Sequence, residues 1–190
     1  MNTLCQMAWG RDREMLDLQS SRNQKWCDRH GWRYLTHHDD VYGLEMWGRF
    51  ALLREAMIRT KQNDILAYLD NDAKLIGDPD IESVLLPGMD IAVGRQGREI
   101  NAGVLFVRDS ERLAEFLPRC LSVRHKYGHT TLPIEQCIVD QLGPMKMQDL
   151  GPEWDWWAGA TGVFTPPIQI RAFHGSPWDV KVRGMRDDGV

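Results

Sequence analysis

Asp70-Asn71-Asp72 places two carboxylates one residue apart, directly after the apolar run Ile65-Leu66-Ala67-Tyr68-Leu69. Hard divalent cations take oxygen ligands, and magnesium or manganese binds carboxylates together with phosphate oxygens. Two such groups at the end of a strand can converge on one ion, with the oxygens of a diphosphate completing its shell. The ion would offset the diphosphate charge and stabilise a departing nucleoside diphosphate. The bare tripeptide is also a common loop and cap pattern, so its weight comes from the strand before it. Asn71 suits a strained turn, because asparagine tolerates left-handed backbone.

Other residues have chemistry but less context. Glu135 supplies a carboxylate that could serve as a nucleophile or a general base, with the Gln136 amide beside it. His174, followed by Gly175, closes a late apolar strand, and a neutral imidazole is a competent manganese ligand. Arg49 lies off the apolar stripe of its helix, where a guanidinium could bond sugar hydroxyls or phosphate; a solvated helix face reads equally well. His37-His38-Asp39-Asp40 has metal-ligand residue types, but adjacent strand residues point to opposite faces. It reads as a polar loop at a site rim, with His38 and Asp39 toward an acceptor. Trp154, Trp156 and Trp157 form a cluster that could stack on carbohydrate or pack a core.

These residues require elements to hold them. Thr3 to Ala8 reads as a first strand, followed by a helix over Arg13 to His30 that Gly31 stops. Arg33 to Thr36 is a short second strand. Met46, Phe50, Leu53 and Met57 recur at helical spacing, with Arg49, Arg54 and Lys61 off that stripe. Ile65 to Leu69 reads as a buried central strand. Asp80 caps a short helix ending near Pro87-Gly88, and strands follow at Ile91 to Val93 and Ala102 to Val107. Ser110 caps a helix with Leu113, Phe116, Leu117, Cys120 and Leu121 on one face. Pro133 begins another helix. Late strands fall near Met147 and over Ile168 to Phe173. This alternation predicts an α/β sandwich with a mostly parallel sheet. One domain over residues 1–184 and a loose polar tail over 185–190 are expected.

Composition sets wider bounds. The 190 residues, 43% hydrophobic and 26% charged, suit one globular domain. A net charge of −4 gives no basic field, so nucleic acid is not an expected partner. Cys5, Cys27, Cys120 and Cys137 make no C-x-x-C pair and read as free buried thiols. No run reaches the ~20 apolar residues of a membrane span, and Met1 to Gly10 lacks signal-peptide character, so the cytoplasm is the expected location.

The order of these motifs resembles the GT-A class of glycosyltransferases. Asp70-Asn71-Asp72, Asp78-Pro79, Ile81-Glu82 and Asn101-Ala102-Gly103-Val104-Leu105 are similar to family 34 (galactosyl-, xylosyl- and mannosyltransferases) and, more loosely, to the glycogenin-like family 8. Trp26-Cys27-Asp28-Arg29-His30-Gly31-Trp32 resembles the helix and turn before the second strand of family 34. Trp47-Gly48-Arg49 stands where such enzymes carry Trp-x-Lys, and Glu135-Gln136 where family 8 has Asp-Gln. The resemblance implies a GT-A fold, a Rossmann-like α/β/α sandwich. It also implies a manganese (or magnesium) ion, a nucleotide-sugar donor, a glycan or other hydroxyl acceptor, and retention of configuration. UDP is favoured as the nucleotide, with GDP open.

Carried onto this chain, the resemblance puts Asp70 on the ribose or the metal and Asp72 on the metal, with His174 as third protein ligand. Asn101, Ala102 and Gly103 lie near the donor sugar, and Glu135 and Gln136 lie beside the anomeric carbon. Ala8 and Trp9 lie at the base and ribose, with Tyr68, Asn71, Arg49 and Gly175 completing the donor site. Lys181 meets phosphate, although it follows Trp178 where the family has Lys-Pro-Trp. Two other readings stay open: a nucleotide-sugar or glycan-binding module without turnover, and a haloacid-dehalogenase-type phosphatase. The second also needs Asp-x-Asp after an apolar strand, but it expects Thr or Val where this chain has Lys74.

Overall fold

The computed structural model describes residues 1–96, 99–128, 132–154, 156–157, 169–172 and 177–186. Its main sheet grows from three strands, β1 (Thr3–Met7), β2 (Arg33–His37) and β3 (Ile65–Leu69). Between β1 and β2 runs α1 (Arg13–His30), which stops where Gly31 takes φ 67°, backbone that favours glycine. Between β2 and β3 lies α2 (Gly48–Met57). Following β3 come β4 (Ala73–Leu75), the hairpin β5 (Ile91–Gln96) and β6 (Glu99–Arg108), and the helices α3 (Glu111–Val123) and α4 (Pro133–Gln141). The chain continues through β7 (Met147–Asp149), β8 (Trp156–Trp157), β9 (Ile170–Ala172) and α5 (Trp178–Arg186).

The six-stranded sheet has the order β2-β1-β3-β6-β5-β7. β6 alone runs against the others, pairing antiparallel with both β3 and β5. A small second sheet, β4-β9-β8, stands beside it. Both the expected α/β class and the mostly parallel sheet are observed.

Alternation along the central strands divides the core in two. Leu66 and Tyr68 of β3, with Leu105 and Val107 of β6, pack with Phe50, Leu53, Phe116 and Ile138 from α2, α3 and α4. Ile65, Ala67 and Leu69, with Val104 and Phe106, pack on the other face with Trp26, Ile81, Leu150 and Ile170. Phe50 and Phe116 meet edge to face at 6.3 Å, a geometry that aromatic quadrupoles favour. All four cysteines are free and buried. No helix among the described residues is long and apolar enough to cross a membrane.

Three expectations need correction. Arg49 was placed off the apolar stripe, yet it is 8% exposed and sits on the buried face of α2. Met46, expected on that stripe, lies before the helix and is 41% exposed. The tail was expected from Met185, but α5 extends to Arg186 and Met185 is buried against Met15 of α1. A short helix of marginal propensity forms here because tertiary contacts supply its stability.

Candidate donor site at the carboxyl end of the central strand

Register creates the site. Leu69 is the last residue of β3 to pair with β6, opposite Val104, so the next residues, Asp70 and Gly103, also face each other. The Asp70 N–H donates to the Gly103 carbonyl at 2.7 Å. The Gly103 N–H bonds the Asn101 side-chain oxygen at 2.8 Å, and the Ala102 N–H bonds Glu135 Oε1 at 3.1 Å. Asn101, Ala102, Gly103 and Glu135 thus meet Asp70 through one short stretch of β6 backbone.

Arg49 ties that backbone to the Asp70 side chain. Nη1 donates to the Ala102 carbonyl at 2.6 Å, Nη2 lies 3.2 Å from Asp70 Oδ1, and Nε bonds the Met46 carbonyl at 3.1 Å. The guanidinium also lies 5.0 Å from the Tyr68 ring centre, a cation–π geometry. Tyr68 donates its hydroxyl to the same Asp70 oxygen at 2.9 Å. Burial works against the charge on Arg49, but the Asp70 carboxylate, backed by Tyr68, Glu135 and Asp72, raises its pKa above the ordinary value. Burial and then the Asp70 charge push the Tyr68 hydroxyl well up, so it remains a donor.

Asp72 is arranged differently. It is 6% exposed, and its Oδ2 lies 2.6 Å from Lys181 Nζ on α5. The turn between the two aspartates hangs on a row of buried amides that the sequence reading did not single out. Gln6 of β1 donates to the Asp70 carbonyl at 3.3 Å, and Gln19 of α1 donates to the Asn71 carbonyl at 2.7 Å. Asn23 and Tyr34 both donate to Gln6 Oε1, at 2.5 and 2.8 Å. The available signals were a lone glutamine within the apolar run Leu4 to Ala8, and Gln19 and Asn23 one turn apart. Asn71, expected in left-handed backbone, is not among the non-glycine residues of positive φ; among the described residues those are Glu45 and Asn63.

The remaining candidates divide. Ala8 is buried, with its N–H on the His37 carbonyl at 3.0 Å, and Trp9 packs against the core beyond β1. His38 pairs with Asp17 at 2.9 Å and Asp39 with Arg13, so the rim loop is fastened to α1. Gln136 is exposed and bonds Asp140 one turn on, at 2.8 Å, apart from the Asp70 group. His174 and Gly175 lie outside the described residues. Trp156 and Trp157 form β8, and Trp154 meets Phe106 edge-on at 5.7 Å, which is a packing role. Lys74, where the phosphatase reading expects Thr or Val, is buried and donates to the Gly184 carbonyl at 2.7 Å.

The donor set suits a hard divalent ion: Asp70 and Asp72 offer carboxylate oxygens, as magnesium and manganese prefer. Among the described residues no group of three or more His, Cys, Asp or Glu side chains could hold a metal.

Fold and site geometry define a GT-A sandwich, with acidic residues at the carboxyl end of a central strand, where open α/β sheets take ligands. Solved structures place the chain among glycosyltransferase folds. A glycosyltransferase involved in glycosylation of the major capsid of PBCV-1 superposes with a TM-score of 0.80 at 15% identity, covering 96% of this chain and 97% of that one. The galactosyltransferase LgtC, in complex with donor and acceptor sugar analogues, superposes with a TM-score of 0.63 at 11% identity, covering 98% and 93%. No family model matches the chain, and no curated protein matches it by sequence.

Proposed function

We propose that this protein is a glycosyltransferase that moves a sugar from a nucleotide-sugar donor, UDP-linked in preference to GDP-linked, to a hydroxyl of a glycan or other acceptor. The observation that carries the reading is the pair Asp70 and Asp72 at the end of β3, within a fold that covers nearly the whole of two glycosyltransferases. The LgtC complex, which holds donor and acceptor sugar analogues, supports a site for both substrates here.

Asp70 and Asp72 would hold a manganese or magnesium ion, which when bound neutralises charge on the diphosphate leaving group. Arg49 aims Asp70, with its carboxylate shared between a guanidinium and a phenol. Lys181 brings a second cation to the same end of the sheet, suited to phosphate. Glu135, whose Oε1 accepts from the Ala102 N–H, is assigned to the reacting face of the sugar. Retention of configuration is the proposed outcome, and NMR of the product showing an inverted anomer would refute it. Gln136 would have to turn from Asp140 to take part.

Thermal unfolding against nucleoside diphosphates, with and without manganese, tests the donor site, because only a ligand that prefers the folded state raises the midpoint. The expected result is a metal-dependent rise with UDP that Asp72→Ala abolishes. No response to any nucleotide would remove the donor reading. One observation is compatible with a second reading, a binding module without turnover: each aspartate already has a cation from the chain itself. Slow hydrolysis of the donor in water separates the two, since the module would bind without it.

A further inference from the structure

Lys74 is unusual in this molecule: it is a lysine only 3% exposed, on β4, two residues beyond Asp72. A buried ammonium is costly unless something compensates it. Here its Nζ donates to the Gly184 carbonyl at 2.7 Å. Gly184 lies in the last described turn of α5. The ammonium therefore docks the carboxyl end of the helix.

A second contact lies on the same helix face. Lys181 and Gly184 are three apart on a helix and share that face, which meets Lys74 on β4 and Asp72 in the turn before it. The two contacts are of opposite sense. Lys74 gives its ammonium to the helix at Gly184, and the helix gives the Lys181 ammonium to Asp72 at 2.6 Å. The rest of α5 is held to the start of α1 and the turn before it. Met185 packs on Met15, Arg11 lies 4.1 Å over the Trp178 ring, and Arg186 pairs with Glu14 at 3.3 Å.

We propose that Lys74 is a positioning residue of the donor site: it docks α5 so that the Lys181 ammonium occupies Asp72 Oδ2 and competes with a divalent cation for the carboxylate. The proposal rests on the metal reading of Asp70 and Asp72. It gives the helix a definite task, that of a competing internal cation which leaves Asp72 only for a stronger one. The displaced ammonium then stands beside the site where a diphosphate would lie.

Titrating manganese alone into the full chain, read by the electron paramagnetic resonance of the free ion, tests this without turnover. Lys181→Met and Lys74→Met should each bind manganese at least about threefold tighter than the wild type. Lys74→Arg, which keeps a donor for the carbonyl, should bind as the wild type does. Tryptic cleavage within α5 should quicken in Lys74→Met and not in Lys74→Arg. A lysine with only a structural role would weaken metal binding when removed, so tightening is the discriminating sign. Unchanged or weaker binding in a folded Lys74→Met overturns the proposal. Where that variant does not fold, unchanged affinity in Lys181→Met does the same. Binding that needs Asp72 yet ignores Lys181 defeats the latch and leaves the metal reading intact. No manganese binding in any of these proteins defeats both.

Discussion

The two aspartates of one short motif are held in opposite ways. Asp70 is fixed by neighbours built into the main sheet and its covering helix: Tyr68 on its own strand, the Gly103 carbonyl across the β3–β6 ladder, and Arg49 from α2. Asp72, two residues on, is met by Lys181 on a C-terminal helix that belongs to no layer of that sheet. The first carboxylate is therefore part of the core's own charge balance, and the second is governed by a separate element. One motif joins a carboxylate fixed by the sheet to one held by a separate helix.

Breaking the rigid side should have the largest effect on stability. Arg49→Met leaves Asp70 without its ion partner and the Ala102 carbonyl without a donor, and should cost about 3 kcal/mol. Urea unfolding would read it as a lower midpoint at unchanged slope. Asp70→Asn should cost roughly 2 kcal/mol, since Asp70 is less buried than a core charge and Arg49 keeps its carbonyl bonds. Asp72→Asn sharpens the contrast. Lys181 can turn to water, so the melting midpoint should stay within about 2 °C of the wild type while the manganese response disappears. A large loss of stability from Asp72→Asn, or none from Asp70→Asn, would erase the distinction.

A smaller effect is expected beneath the turn. Gln6→Leu removes the acceptor of Asn23 and Tyr34 and the donor to the Asp70 carbonyl, at a cost of about 1–3 kcal/mol. It should also weaken metal binding through a looser turn. Smallest of all, Arg186→Ala loses an exposed pair with Glu14 and should change stability by about 0.5 kcal/mol or less. A larger loss there would mean that α5 depends on that pair more than on its buried contacts.

The legible part of the site was the part made by local pattern. Five apolar residues followed by Asp-Asn-Asp announce a buried strand and its polar end, and β3 occupies that span. Ser110 and Gly31 announce a helix start and stop for the same reason: each satisfies backbone needs on its own. Arg49 illustrates the opposite case. Its charge argued for solvent, and only the partners brought by β3 and β6, distant in sequence, make burial tolerable. The nearness of Glu135 to Asn101 depends on how α4 docks on β6, which no periodicity encodes. Helix α5 was hidden because Gly184 and its valines are poor helix formers, and its stability comes from α1 and β4. Gln6 was hidden by its type, since a single amide in a strand reads as noise until its four-residue network is seen.

The four buried thiols give the molecule a built-in set of clocks. Each is shielded from solvent, and burial pushes the Cys27 thiol up to about 12, which keeps it unreactive in the folded chain. Labelling by an aromatic disulfide reagent can then proceed only when the chain opens locally. Cys5 would report parting of β1 from its neighbours, Cys27 the lifting of α1, and Cys120 with Cys137 the separation of α3 from the helix that carries Glu135. Comparing their rates with and without nucleotide would show which layer of the sandwich a ligand tightens.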